Sequence, residues 1–364
     1  MEFNDLNCTS WLENFDVNTN YTYTTDDLSR QINKRNLAAV IFVSAMILVG
    51  TVGNVLVILV FTFKFSKSTY RAYVLCLAYL DTVNCCVTMP FVLTYLLFSQ
   101  NYPSDVLCKF GHFVGFYIGL ASPFTLILIA ADRYRNICQP LCLQMTEKKA
   151  QLSCIIINIA SFTMSWHAPV IYGSTKHEIK GLNITVTRCF KEDDFLSQNV
   201  TWWQYIILTV ILFMVTAFLA VTYFFIMIRV HHKSKYFTSL SARGSLDPGR
   251  PNTAYVTKNI QTRKTTLTFF IITTVYVLSS FIHHALAIIL HVVPNLECHL
   301  TFTQGAIFWT FFWTIFINNI ANPFIYGLSD ERFRHHLKLF FMKKKTIPLA
   351  WTTQQHRHLP LQRK

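Results

Sequence analysis

The chain has 364 residues, of which 52% are hydrophobic and 14% charged, and its 32 Lys and Arg outnumber 18 Asp and Glu for a formal net charge of +14. An average soluble domain carries roughly 25% charged residues, so this composition, with a mean hydropathy of +0.35, excludes an ordinary soluble fold and points to a membrane protein. The basic excess follows the sidedness of apolar runs described below and suits anionic lipid, so no nucleic-acid partner is expected.

Residues 1–36 are polar and acidic, without a basic stretch leading into an apolar core, and read as an extracellular tail with no cleavable signal peptide. Seven apolar runs follow: Leu37 to Phe63, Ala72 to Phe98, Val106 to Ala131, Ala150 to Tyr172, Trp202 to Ile228, Thr265 to Val293 and Thr301 to Leu328. Each is long enough to cross about 30 Å of hydrocarbon as a helix. The fold class expected is an all-α membrane protein, a seven-transmembrane helix bundle over residues 37–328.

An odd number of spans puts the termini on opposite sides. Of the 32 Lys and Arg, 24 fall in the loops and tail that share a side with the C-terminus, leaving 8 opposite, so the C-terminus is expected in the cytoplasm and the N-terminus outside. The four N-x-S/T signals, at Asn7, Asn20, Asn183 and Asn199, all fall on the outer side, as glycosylation requires. A plasma-membrane, multi-pass protein is the expectation.

Two connections are long. The inner one contains SARGSLDPGRPN, a Gly/Pro/Ser cluster that reads as a loop. After Tyr326, Phe333, Leu337, Phe340 and Phe341 recur at helical spacing among basic residues, the pattern of an amphipathic eighth helix over 329–342 lying on membrane lipid, followed by a cytoplasmic tail over 343–364. Among ten cysteines, Cys108 and Cys189 share the oxidising side and are expected to bridge; Cys8 and Cys298 are the other pair on that side and form the candidate second bridge. Cys76, Cys85, Cys86 and Cys154 read as small buried apolar residues.

The order of short motifs carries a resemblance: GNVLV with Asn54, LAYLD with Asp81, Cys108 with Cys189, DRYRNICQPL from Asp132, Trp166, Tyr223, and NPFIY from Asn322, one set per span. The chain resembles a rhodopsin-like (class A) G-protein-coupled receptor, of the peptide-receptor type, from Leu37 to Phe341. The resemblance implies a G-protein-facing set of Asp132, Arg133, Tyr134, Pro140, Leu141, Tyr223 and Tyr326, with Arg133 held by Asp132 until activation releases it. It also implies a hydrated sodium pocket of Asp81, Ser122, Asn318 and Asn322 beside Asn54, the one metal expected and the only candidate cofactor. The residues agree: a mid-membrane carboxylate needs partners, and Asn318 and Asn322, four apart, share a helix face that can turn towards it. A purely structural polar network would satisfy the same residues. Pro323 removes a backbone donor there and loosens the last span.

Departures from the family matter. Ser280 stands where the family places Trp, Ile282 and Val215 stand where it places Pro, Pro123 replaces an aliphatic residue, and Thr262 replaces an acid that in some members restrains the Arg of the DRY triplet. Two opposite expectations follow, high basal activity or weak G-protein coupling. Gly115 replaces the acid of amine receptors and the seventh span has no retinal lysine, so neither ligand is expected. What remains is an aromatic bowl of Phe116, Tyr117, Trp203, His283, His284, Trp309, Phe312 and Phe316, suited to a peptide or, as the alternative, a lipid or other small molecule. Glu192, Asp193 and Asp194 in the outer loop could attract a basic peptide or be a solvated loop. Adjacent histidines diverge by about 100° on a helix, so His283 is expected to line the bowl and His284 to pack away from it, or the reverse, without chelating a metal.

No hydrolase, zinc-protease or Walker motif is present, so an enzyme is not expected; nor do two related halves suggest a channel or transporter. The expected partners are an extracellular ligand, most simply a peptide, a heterotrimeric G protein, and arrestin with a receptor kinase acting on Ser234, Ser239, Ser241 and Ser245, since the tail after Ser329 has neither serine nor cysteine.

Overall fold

The computed structural model describes residues 24–179, 184–191, 200–242, 252–293 and 296–342. Among the described residues, six helices are long and apolar enough to cross a membrane: α1 (Thr25–Lys64), α2 (Thr69–Leu97), α3 (Asp105–Cys138), α4 (Glu147–Ile171), α5 (Val200–Ala242) and α6 (Asn252–Val292). The seventh, α7, is assembled from Phe302–Phe312, a 3-10 turn Trp313–Phe316, and Ile317–Ser329; α8 (Glu331–Met342) follows. Helix α1 begins twelve residues before its apolar run, because Thr24 and Asp27 form a reciprocal capping box. The tail expected over 1–36 is therefore already helical from Thr25.

The only strands among the described residues are β1 (Tyr172–Ile179) and β2 (Ile184–Lys191), an antiparallel hairpin pairing Ser174 with Cys189. It follows α4 directly, and a disulfide from Cys189 to Cys108 holds it to α3 with a Cα separation of 5.5 Å. The Ser174 amide donates to Asp105 Oδ1 at 2.7 Å and Arg188 donates to Gln100, so the hairpin is tied to one end of the bundle at two further points.

Two breaks in helical winding decide what faces the bundle axis. Pro90 cannot donate to the carbonyl four residues back, and α2 accommodates it with a π turn over Asn84–Thr88 in which the Met89 amide reaches Asn84 O. In α7 the tighter turn at Trp313–Phe316 advances each residue about 120° instead of about 100°. Pro323 leaves the Asn319 carbonyl without its helical donor, and Asn54 Nδ2 supplies one from α1 at 2.8 Å. That close approach is possible because Gly53 has no side chain: a Cβ there would sit 2.8 Å from Pro323 Cγ. Among the described residues one large core cluster gathers around Tyr73, Phe61, Phe269 and Tyr326 at the end of the bundle away from the hairpin, another around Val43, Met89 and Trp309 towards it, and a small one around Leu80, Val114, Ile118 and Ala121.

Candidate functional site

At mid-bundle, Asp81 on α2 is buried, and each carboxylate oxygen accepts one amide from α7: Asn319 Nδ2 at 2.8 Å and Asn322 Nδ2 at 2.6 Å. The partner from the first turn is thus Asn319, correcting the expectation of Asn318. Asn318 lies one residue earlier, a rotation of about 100°, and lines the cavity described next. Asn54 Nδ2, donating to both Gly50 O and Asn319 O, joins α1 to the same knot. Ser122 on α3 is buried nearby in the cavity wall, and its Oγ, like Asn322 Oδ1, has no hydrogen-bond partner among the described residues. A hard monovalent cation takes oxygen donors; the orphaned Ser122 and Asn322 oxygens and the Asp81 carboxylate fit one.

A cavity of about 330 Å³ occupies the hairpin half of the bundle, walled by α2, α3, α5, α6 and α7. Of the expected bowl, it is lined by Phe116, His283, His284 and Phe316. Four expected residues lie elsewhere. Tyr117 faces α4, its hydroxyl donating to Asn158 at 2.6 Å. Trp203 is 63% exposed at the start of α5, whose cavity wall is instead Leu208, Ile211, Leu212 and Val215. Trp309 is buried in the cluster shared with α1, and Phe312 packs its ring on His283. The tight turn explains the last two: four residues at about 20° of extra rotation each bring Trp313 and Ile315 into the cavity.

Both histidines line the cavity, which corrects the expectation that only one would. Each Nδ1 is engaged by a carbonyl, His283 with Phe312 O of α7 at 2.6 Å and His284 with Ser280 O of its own helix at 2.7 Å. With Nδ1 donating, a neutral imidazole keeps Nε2 as an acceptor. Sequence reasoning missed Asn84 and Thr88, which the π turn brings to the wall, and Tyr276 and Trp313.

At the opposite end, Arg133 is buried against Asp132 in a charge-assisted pair. The same Nη2 that pairs with Asp132 donates to Thr69 at 3.2 Å, Nη1 donates to Thr265 on α6 at 3.5 Å, and the guanidinium lies 5.6 Å from the centre of the Phe269 ring. Thr262, in place of an acid, gives its carbonyl to Thr265 and Thr266. Further contacts tie α6 to the α7–α8 junction: Thr268 donates to Ser329 at 3.0 Å, and Lys264 pairs with Glu331 at 3.3 Å. Tyr223 accepts from Thr273 at 3.4 Å, and Tyr326 is buried between Phe61 and Phe333. Tyr134 is partly buried against the same core, whereas Pro140 and Leu141 are exposed, Leu141 fully at 101%.

Asn7, Asn20, Cys8, Asn183, Asn199 and the Glu192–Asp194 cluster lie outside the described residues, as do the side chains of Cys298, Ser234, Ser239 and Ser241 and all of Ser245.

Residues 53–326 match the sequence model of a family described as 7 transmembrane receptor (rhodopsin family). Among similar proteins, the tachykinin-like peptides receptor 99D of Drosophila melanogaster is 25% identical over 306 residues, covering 83% of this chain and 56% of the relative. Neuropeptide Y receptor type 1 of Xenopus laevis is 24% identical over 310 residues, covering 82% and 78%. The C5a anaphylatoxin chemotactic receptor 1 of Oncorhynchus mykiss is 27% identical over 129 residues, covering 35% and 37%. The chain thus spans a little over half the length of the fly relative.

Proposed function

The chain belongs to the rhodopsin family of seven-transmembrane receptors, and from that premise we propose that it is a plasma-membrane receptor in which an extracellular peptide activates a heterotrimeric G protein. It is a multi-pass membrane protein; the side rule for Lys and Arg and the four glycosylation signals support placing the hairpin end outside. Two of the relatives are named for peptides, tachykinin-like and neuropeptide Y. Their identity to this chain supports the ligand class, not the individual ligand.

One observation carries the mechanism. The cavity under the hairpin and the Asp81 knot share a residue: Asn319 lines the first and donates to the second. A ligand bound more tightly when α6 and α7 have shifted moves the equilibrium towards that state by its difference in affinity. Loss of the Arg133–Thr265 and Thr268–Ser329 contacts then lets α6 swing away, exposing Arg133 beside Leu141 and the basic inner loops to the G protein. Tyr223 and Tyr326 are placed to steady Arg133 once released. A sodium ion held by Asp81, Ser122 and Asn322 would supply positive charge that favours the closed arrangement, and Asn318, on the cavity side, is the least suited of the expected set. No step is covalent; the family is one of receptors.

Receptor kinase and arrestin would act on Ser234, Ser239, Ser241 and Ser245, and α8, whose Phe333 is packed into the core, would rest on anionic lipid through Leu339 and Phe340 among its basic residues. A cavity of this volume also suits a small molecule or lipid. The test is a peptide and lipid library applied to cells expressing the chain, read by G-protein and arrestin sensors. Peptide hits with nucleotide exchange support the reading; lipid hits alone replace the ligand, and arrestin signals alone remove the G protein.

A further inference from the structure

We propose that the floor of the cavity is a subsite for a compact neutral hydrogen-bonding group, a carboxamide of the ligand, and that its occupant acts on the Asp81 knot through Asn319, which lines the cavity and donates to Asp81. This rests on the receptor reading above and deepens it.

Asn84, Thr88 and Ser122 line the cavity and are less than a tenth exposed, and Asn84 Oδ1, Thr88 Oγ1 and Ser122 Oγ have no hydrogen-bond partner among the described residues. Buried polar atoms ordinarily find partners, and three orphans from two helices around one void mark a place where a partner is brought from outside. Space is kept for it. Ser280 presents a small side chain where the resemblance leads one to expect Trp. A Cβ at Gly119 would meet nothing within 4 Å, and one at Gly115 only Thr88 Cγ2 at 3.7 Å. The π turn in α2 turns Asn84 and Thr88 inward, so both irregular winding and small residues serve the same volume.

The chemistry of the occupant follows from the wall. Among the described residues, no Asp, Glu, Lys or Arg lines the cavity. Asn84 Oδ1 accepts only, so the occupant must donate; the hydroxyls of Thr88, Ser122 and Ser280 both donate and accept, so it can also accept. A carboxamide does both. A carboxylate would be brought towards Asp81, one residue behind Asn319, and repelled. An ammonium would lose its hydration for a wall whose nearest carboxylate already accepts two amides.

Thermal unfolding of the full-length purified chain in lipid nanodiscs, with benzamide, benzoate and benzylammonium titrated separately, tests the assignment. Benzamide is expected to raise the melting temperature saturably, with an affinity about tenfold or more above either charged probe. Ser280→Trp, which fills the floor, and Asn84→Leu, which removes the acceptor at similar size, are each expected to weaken benzamide by about tenfold. Should Ser280→Trp fail to fold, Asn84→Leu with Thr88→Val carries the comparison. Charged probes that match benzamide, an absent benzamide shift, or a shift that both folded variants retain overturns the subsite. Peptide responses in cells without a benzamide shift sink the subsite alone; a benzamide shift without any peptide response sinks the peptide reading alone.

Discussion

Asn319 donates its side-chain amide to Asp81 across 2.8 Å while its backbone carbonyl, stripped of its helical donor by Pro323, accepts from Asn54 at the same distance. One residue thereby fastens α7 to α2 and α1. Hydrogen bonds to a charged group contribute about 1.5–3 kcal/mol. Asn319→Ala is expected to lose about that much stability, whereas Asn318→Ala, whose side chain faces the cavity, stays within about 0.5 kcal/mol. Melting temperatures of the two variants purified in parallel check the order, and equal losses would put Asn318 back in the knot.

Removing the charge itself separates a sodium site from a structural network. Asp81→Asn keeps the size and can still hydrogen-bond, but it lacks the charge that a cation needs. The expected outcome is a receptor that folds and whose ligand affinity no longer changes when sodium replaces potassium. Retained sodium sensitivity would mean the cation sits elsewhere.

The contacts of α6 with Arg133 and with Ser329 are made through threonine hydroxyls rather than through an acid–arginine pair. Each contributes about 1 kcal/mol, or about fivefold in the closed-to-open ratio. Thr265→Ala and Thr268→Val should each raise ligand-free signalling by about that factor. Glu331→Ala should change it little, since both partners in its pair with Lys264 are more than half exposed. Basal activity measured at matched surface expression decides this, and a larger effect from Glu331 would reverse the ranking.

Gly111 and Gly119 sit two turns apart on α3 and should answer substitution oppositely. A Cβ at Gly111 would overlap the Phe91 ring, whereas one at Gly119 enters open space. Gly111→Ala is expected to destabilise by about 1–3 kcal/mol through overpacking. Gly119→Ala should be neutral or stabilising, as the helix gains propensity.

The hairpin gives a fifth test. Cys189→Ser frees β2 from α3 and removes a link between residues 81 apart in sequence, at a cost of about 2–5 kcal/mol. Lower surface expression and a lower melting temperature are expected. Unchanged melting would mean the Asp105–Ser174 and Gln100–Arg188 contacts suffice.

Much of this was legible in the sequence because ions and disulfides impose type and place: Asp81, the Asp132–Arg133 pair, and Cys108 with Cys189 could be read directly. What was misread lies beyond irregular turns. Assigning Trp309 and Phe312 to the bowl assumes uniform helical phase through Trp313–Phe316, where winding tightens. Asn84 and Thr88 went unnoticed because nothing but Pro90 signals the π turn that turns them inward. The choice between Asn318 and Asn319 did have a signal: Asn319 is four residues before Pro323 and must own the carbonyl that lacks a donor.

The central claim is that a ligand in the hairpin-end cavity releases α6 from α3. Pulsed-EPR distances between labels at Gln144 and Lys264, on a background with free cysteines replaced and in lipid nanodiscs, measure it directly. The account predicts a longer distance when an activating peptide and G protein are bound, and a longer one without ligand in Thr265→Ala. A distance unchanged by peptide and G protein, with nucleotide exchange nonetheless stimulated, would contradict it.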